Sequence, residues 1–350
     1  MMNSQQAIQL LQQLISTPSF SREEDKTADI IETFLQKRGI TTNRQGNNIW
    51  AKNAHFSDKL PTILLNSHHD TVKPVKAWTR NPFAGDIVEG KLFGLGSNDA
   101  GGCLVSLIAT FCHFYETQLP YNIILLASAE EEISGRGGVE AVLPNLPPIS
   151  VGIVGEPTLT QMAVAEKGLM VMDGIARGKA GHAAREEGIN AIYLALGDIT
   201  RLKNFQFQKK SDLLGAVKIS VTQIEAGTQH NVVPDECRFV VDVRTNECYS
   251  NADIWAILKE QIHSELTPRS MRLNSSKIDL HHPLILRGQS MGLSYYGSPT
   301  LSDQALMNFP TLKIGPGDSA RSHTADEFIY VEEIEKGMAV YKELLTDLIV

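Results

Sequence analysis

At 350 residues and a formal net charge of -8, the chain is long enough for two hydrophobic cores, and two domains are the expectation. Hydrophobic residues at 42% and charged residues at 21% are ordinary for a soluble globular protein; they exclude disorder, and no apolar run approaches a transmembrane span. The acidic balance, with no basic patch, argues against nucleic acid as a partner.

The opening MMNSQQAIQLLQQLI has no basic flank followed by an apolar stretch and a small-residue cleavage site. It predicts an amphipathic helix near 4–15 and not a signal peptide. A second helical periodicity covers 23–38, with Ser21 as N-cap candidate and Glu23-Glu24-Asp25 as a solvated first turn. TILLN (62–66), NIILLAS (122–128) and SVGIVG (150–155) are short apolar runs of the kind buried on both faces of a mostly parallel sheet. AGGCLVSLIATFCHFY (100–115) reads as a crossover helix between them.

The pattern changes after Glu166. Strands near 168–177, 214–225 and 236–244 with helices near 188–203 and 251–266 predict an α+β sandwich. TLKIG (311–315) and a helix over 331–348 then resume the first pattern. The expected organisation is therefore an α/β catalytic domain, 1–166 and 276–350, with helices on both faces of a mostly parallel sheet, interrupted by an inserted domain over 167–275. No solenoid-type repeat or low-complexity tract occurs. Four cysteines (Cys103, Cys112, Cys237, Cys248) lie far apart without a CxxC pair, which disfavours a disulfide framework or a thiolate zinc site and fits reduced thiols in the cytoplasm.

Ionisable residues fall where the apolar strands end. Strand 62–66 leads into His68-His69-Asp70, 122–128 into Glu130-Glu131-Glu132, and 150–155 into Glu156. Ligands of open α/β sheets bind beyond the carboxyl ends of strands, so one common site is expected. Carboxylates gathered together repel unless a proton or cation compensates, and imidazoles nearby favour a metal, zinc by donor type with cobalt or manganese as alternatives. Asp99, after the Gly94–Gly96 turn and before a helix, is placed to bridge two ions.

These residues lie in HHDTV (68–72), GLGSNDAGG (94–102), AEEEISGRGG (129–138), VGEPT (154–158), GHAAREEGINAI (181–192), NVVPD (231–235) and SHTADEF (322–328). In that order and over essentially the whole chain, they resemble the dinuclear zinc amidohydrolases: acetylornithine deacetylase, succinyl-diaminopimelate desuccinylase, aminoacylases and glutamate carboxypeptidases. The resemblance implies a zinc-exopeptidase-like catalytic domain with an inserted dimerisation or lid domain. It implies that His68 and Glu156 bind one divalent cation and Glu132 and His323 the other, with Asp99 shared. Zinc is the expected metal, and cobalt a substitute. Glu131 would be the general base, Asp70 would orient His68, and His182 would reach a neighbouring subunit's site to stabilise the oxyanion. Asn231, Arg244 and Arg321 would contact substrate, the arginines pairing with its carboxylate. Relatives often carry Asp at the position of Glu130, so the run of glutamates leaves a one-residue ambiguity. Aligning on Ile133 makes Glu131 the base and Glu132 the ligand; the reverse is the alternative.

The implied substrate is an N-acyl amino acid. GPGDSARSHTADEF (315–328) and the short chain resemble amino-acid biosynthetic deacylases, with N-acetylornithine in arginine biosynthesis first. N-acyl-lysine, N-acylcitrulline, succinylated ornithine, succinyl-diaminopimelate and a di- or aminopeptidase activity are the alternatives. The remaining histidines have blander readings: His69 as structural, and His55, His113, His263, His281 and His282 as surface or core; His230 adjoins Asn231. The GLGSND loop lacks a G-x-G-x-x-G match and no G-x-S-x-G elbow occurs, so neither a dinucleotide site nor a serine hydrolase is expected.

Overall fold

The computed structural model describes residues 2–349 and divides into two units. One runs through Val164 and is completed by Lys277–Tyr296 and the chain from Ser302 onward; the other comprises Ala165–Ser276 and Gly297–Leu301. The segment 297–301 carries no sequence signal for that membership.

In the first unit, helix Ser4–Ile15 is started by Asn3, whose side chain accepts the Gln6 N–H while the Gln6 side chain accepts the Asn3 N–H. This capping box satisfies two otherwise orphaned donors. Helix Asp25–Gln36 begins at Glu24 and not at Ser21, whose hydroxyl donates instead to Asp70 Oδ2 at 2.7 Å. Glu24 also corrects the expectation of a solvated turn. It is fully buried and accepts from the Arg22 and Glu130 N–H groups and the Asn47 amide, donors that offset its desolvation.

The central sheet runs in the order Thr42–Gln45, Asn48–Lys52, Asn122–Ser128, Thr62–His68, Val151–Val154, Thr311–Lys313, Met162–Glu166, Ser276–Lys277, with Tyr295–Ser298 also paired to Met162–Glu166. The four strands from Asn122–Ser128 to Thr311–Lys313 are mutually parallel, while Thr42–Gln45, Asn48–Lys52 and Met162–Glu166 join antiparallel. Side chains alternate across a strand. Leu64, Ile124, Leu126 and Val154 therefore pack on one face against Val139, Val142 and Met307. The alternate residues, Ile63, Leu65, Ile123 and Leu125, are equally buried; helix Gly102–Phe114 packs on these strands, and helix Val331–Leu345 packs on that helix.

The second unit is a four-stranded antiparallel sheet in the order Lys218–Ala226, Glu236–Thr245, Gly168–Arg177, Glu265–Pro268. Met170, Met172, Phe239, Val241 and Val243 face helices Ala191–Asn204 and Asn251–Gln261 through Ala195, Leu202, Ile254 and Leu258. Phe239 pairs across strands with Gly174. A Cβ at Gly174 would stand 2.3 Å from that ring, so the ring's place in the core requires glycine opposite it. Among the described residues no helix is long and apolar enough to cross a membrane, and the four cysteines are free thiols.

Candidate active site

Strand register brings the ionisable residues to one edge. Asn66 lies opposite both Leu126 and Val154 in parallel pairing. Two residues further along each strand, His68, Ser128 and Glu156 are therefore level, and the turn after Ser128 delivers the glutamates beside them.

His68 is buried and its Nδ1 lies 3.0 Å from the Asp70 carbonyl oxygen. A carbonyl only accepts, so Nδ1 carries a proton and Nε2 is the nitrogen turned to the acids. Nε2 stands 3.2 Å from Asp99 Oδ1, 3.7 Å from Glu156 Oε1 and 3.9 Å from Glu131 Oε2. On the far side, His323 Nε2 is 2.9 Å from Glu132 Oε2 and 3.6 Å from Asp99 Oδ2. The two oxygens of Asp99 thus face different imidazoles. Donor atoms of His68, Glu131 and Glu156, and of His68, Asp99 and Glu132, lie within 4.8 Å of one another.

The consecutive glutamates separate in three directions. Glu130 adopts a left-handed conformation with φ 54, uncommon for a side chain with a Cβ. Its carboxylate turns back to the Gly137 N–H at 3.2 Å. It fills the space a Cβ at Gly135 or Gly137 would need, which accounts for two glycines of the GRGG stretch; at Gly138 a Cβ would meet the Ala129 carbonyl oxygen instead. Glu131 then faces His68 and Glu156, while Glu132 faces His323. Asp70 fixes this turn as well as His68: its Oδ1 accepts the Glu131 N–H at 3.0 Å and its Oδ2 the Glu132 N–H at 3.2 Å.

Burial and mutual repulsion shift these groups strongly. Burial, then the Asp99 charge, pushes Glu156 up to about 8. Burial also raises Glu131 well above the usual carboxylate range against the opposing charge of His68, with Glu156, Asp303 and Glu132 adding to the rise. Glu132 is raised by burial, with His323 opposing. Burial would lower His68, but the charge of Glu131 and the hydrogen bonds to Asp70 and Asp99 outweigh it and hold the imidazolium well above its ordinary value. His323 rises to about 9 beside Glu132. Such a cluster holds protons when it holds no cation. Imidazole nitrogens and carboxylate oxygens, one carboxylate facing both histidines, fit a pair of divalent ions.

Two carboxylates that sequence reasoning passed over support the site. Glu327, in SHTADEF, is buried and accepts backbone N–H groups from the Asp99 loop; burial and the Asp99 charge push it up to about 8. Asp303 is buried, accepts from Asn66 and Ser128 and is raised by burial to about 6. Glu327 lies within SHTADEF (322–328), whereas nothing local marks Asp303. His69 is structural as expected, with Nδ1 2.9 Å from Thr27 Oγ1 and Nε2 2.9 Å from the Asn47 carbonyl oxygen.

Arg321 is already paired. Its guanidinium donates from both terminal nitrogens to Glu333, at 2.7 and 2.8 Å, and stacks on Phe328 and Tyr330. Its fork is engaged at the start of helix Val331–Leu345, so contact with a substrate carboxylate would require it to leave Glu333. In the second unit, Arg244 is likewise paired, with Asp242 at 2.9 and 3.2 Å. His182 and Asn231 do come together there. His182 pairs with Val232, and the Asn231 carbonyl accepts the Ala183 N–H at 3.0 Å. His182 is exposed and its Nδ1 accepts the Ala184 N–H at 3.1 Å, which leaves Nε2 to carry the proton of the neutral ring.

A mostly parallel α/β sheet with an imidazole–carboxylate cluster at its carboxyl edge defines a metal-dependent hydrolase. The profile of Peptidase family M20/M25/M40 matches residues 64–347, and the chain belongs to that family. It is 27% identical over 376 residues to succinyl-diaminopimelate desuccinylase of Cereibacter sphaeroides, covering 97% of this chain and 98% of that protein. It is 28% identical over 378 residues to acetylornithine deacetylase of Proteus mirabilis, covering 97% and 95%. Among solved structures, aminopeptidase PepT from Bacillus cereus superposes with a TM-score of 0.79 at 19% identity, covering 98% of both chains. The Bacillus subtilis YXEP protein, described as a dinuclear metal binding peptidase of the M20 family, does so with 0.75 at 18%, covering 98% and 97%.

Proposed function

We propose that this enzyme hydrolyses the amide bond of an N-acyl amino acid, with N-acetylornithine as first substrate, giving ornithine and acetate in arginine biosynthesis in the cytoplasm. The observation that carries the hydrolytic chemistry is Asp99, whose two oxygens face His68 and His323. His68 with Glu156 would hold one divalent cation and Glu132 with His323 the other, Asp99 being shared. When bound, such ions, zinc with cobalt able to substitute, supply Lewis acidity and lower the pKa of water.

Glu131 takes the proton of the attacking water. Its backbone is held by Asp70 and its carboxylate has no arginine or lysine partner among its contacts, so it accepts and returns a proton as a general base must. The water oxygen bonds to the acyl carbon, the C–N bond breaks, and the proton held by Glu131 passes to the departing amine. His182, offering Nε2–H from a second subunit, donates to the acyl oxygen as charge develops there. That role requires a homodimer through the inserted unit. Tyr193, 73% exposed, and Leu196 on helix Ala191–Asn204, with Ile224 on the outer strand Lys218–Ala226, supply an apolar face for it. Asn231 beside His182 contacts the substrate, and Arg244 does so by exchanging Asp242 for the substrate carboxylate.

The two named relatives match this chain almost equally, so succinyl-diaminopimelate is the second reading. The test is kcat/KM of cation-loaded enzyme on N-acetylornithine, N-acetyl-lysine, N-acetylcitrulline, N-succinyl-diaminopimelate and small dipeptides. N-acetylornithine is expected to lead; preferential turnover of the succinyl compound or of dipeptides overturns the assignment.

A further inference from the structure

We propose that Glu327 is a positioning residue that sets the direction of the Asp99 carboxylate before any cation binds. The inference rests on the reading of Asp99 as the shared ligand. Glu327 is 2% exposed, and all of its polar atoms but the backbone N–H are directed at one loop. Its Oε1 accepts the N–H groups of Asn98 at 2.8 Å and Asp99 at 3.0 Å, and its Oε2 accepts that of Gly96 at 3.2 Å. Its carbonyl oxygen accepts the Gly94 N–H at 3.0 Å.

The loop needs such an anchor. Gly94 and Gly96 have φ of 154 and 74, and a Cβ at Gly96 would stand 2.5 Å from the Thr71 methyl group. Glycine permits this conformation and also leaves the backbone free to leave it. The Asn98 side chain is tied to the backbone of Asp318, but that fixes the Asn98 side chain and not the peptide plane of Asp99. Glu327 holds the Asp99 N–H itself, and so the direction in which Cβ leaves the chain.

The requirement is for a carboxylate in particular. Converging N–H donors need acceptors on both oxygens, and an amide in its place turns one acceptor into a donor facing another donor. Glu327 also follows His323 by four residues, so one short segment would supply a ligand and orient the shared carboxylate across from it.

The test uses full-length, metal-free protein titrated with cobalt(II), followed by calorimetry and visible absorption. Wild type is expected to take up two ions per chain. Glu327→Gln is expected to bind one of them about 10–100-fold more weakly, with a changed cobalt spectrum and a fall in kcat that leaves KM largely unmoved. Asp198→Asn, a variant in the other unit, serves as control: it lowers thermal stability without touching the cobalt spectrum. A Glu327→Gln protein with wild-type cobalt affinity and spectrum overturns the proposal while leaving the two-ion reading intact. Failure of wild type to bind cobalt overturns both. Should the variant not fold, hydrogen exchange in metal-free wild type decides: the Gly96, Asn98 and Asp99 amides are expected to be protected already. Exchange at open-loop rates until cobalt is added rejects the idea.

Discussion

The acids on the inserted sheet and those of the catalytic cluster are neutralised in opposite ways. In the inserted unit, guanidinium groups answer them: Asp173 meets Arg269 at 2.8 Å, Glu265 meets Arg177 at 2.8 Å, Glu236 meets Arg177 at 3.0 Å, and Asp242 meets Arg244 at 2.9 Å. Arginine never gives up its proton at ordinary pH, so those pairs are fixed in charge. In the catalytic unit, Asp99, Glu131, Glu132 and Glu156 meet His68, His323 and one another. Imidazole can lose its proton or take a cation in place of it. An acid answered by arginine stays in one charge state, and an acid answered by histidine and other acids keeps its capacity for proton and cation exchange.

Replacement of the acid with most freedom breaks that contrast most sharply. Glu131→Gln is expected to lower kcat by about 10²–10⁴-fold while cation content stays at the wild-type level, since no ligand is lost. A near-normal rate would show that another group takes the proton. His182 is the second test, because it is a member of the inserted unit assigned to chemistry. His182→Ala is expected to cost about 10²–10³-fold in kcat with cation content unchanged. Mixing His182→Ala with Glu131→Gln subunits should restore activity where hybrid dimers form; inactive hybrids would place His182 in its own subunit's site or outside catalysis.

The contrast was half visible in the sequence. His68, Glu132 and Glu156 are legible because each follows an apolar strand, and parallel strands in register carry their ends to one edge. Glu24, Asp303 and Glu327 are not legible. A buried carboxylate differs from a solvated one only by the donors around it, and those donors come from distant segments, as residues 96–99 do for Glu327. The pairing of Arg321 is hidden for the same reason: Glu333 holds its guanidinium, and a carboxylate at a helix start is an ordinary capping residue. The direction of Glu130 depends on a left-handed backbone that a run of identical residues does not announce. The strand Thr42–Gln45, mostly polar and partly exposed at the sheet edge, lacks the apolar run by which its neighbours are recognised.

Asp198 sits between the two behaviours and separates stability from activity. It is buried on helix Ala191–Asn204 and accepts the N–H groups of His263 and Ser264, the Ser264 hydroxyl and Arg201. Asp198→Asn is expected to destabilise the protein by about 1–3 kcal/mol, measured by denaturant unfolding, with kcat little changed. Burial would raise its pKa, but the Ser264 and His263 hydrogen bonds and Arg201 outweigh that and hold it below the ordinary 3.8. The unfolded state therefore binds more protons across that interval. The stabilisation is full above the unfolded value and is lost as pH falls through the lowered folded one. The gap between wild type and Asp198→Asn should accordingly narrow in acid; a gap that widens there contradicts the assignment.

Asp173 and Arg269 set the lower limit of the comparison. Their bonds are good, with Arg269 Nε and Nη2 both on the Asp173 carboxylate at 2.8–3.2 Å, yet the side chains are 46% and 54% exposed. Water and salt screen such a pair, and ordering two long side chains costs entropy, so Arg269→Ala is expected to cost about 0–1 kcal/mol, less at high ionic strength. Cobalt uptake and kcat should not move. If this substitution cost as much as Asp198→Asn, the guanidinium pairs would be holding the inserted sheet together. The distinction between them and the buried cluster would then have to rest on chemistry alone and not on energetic weight.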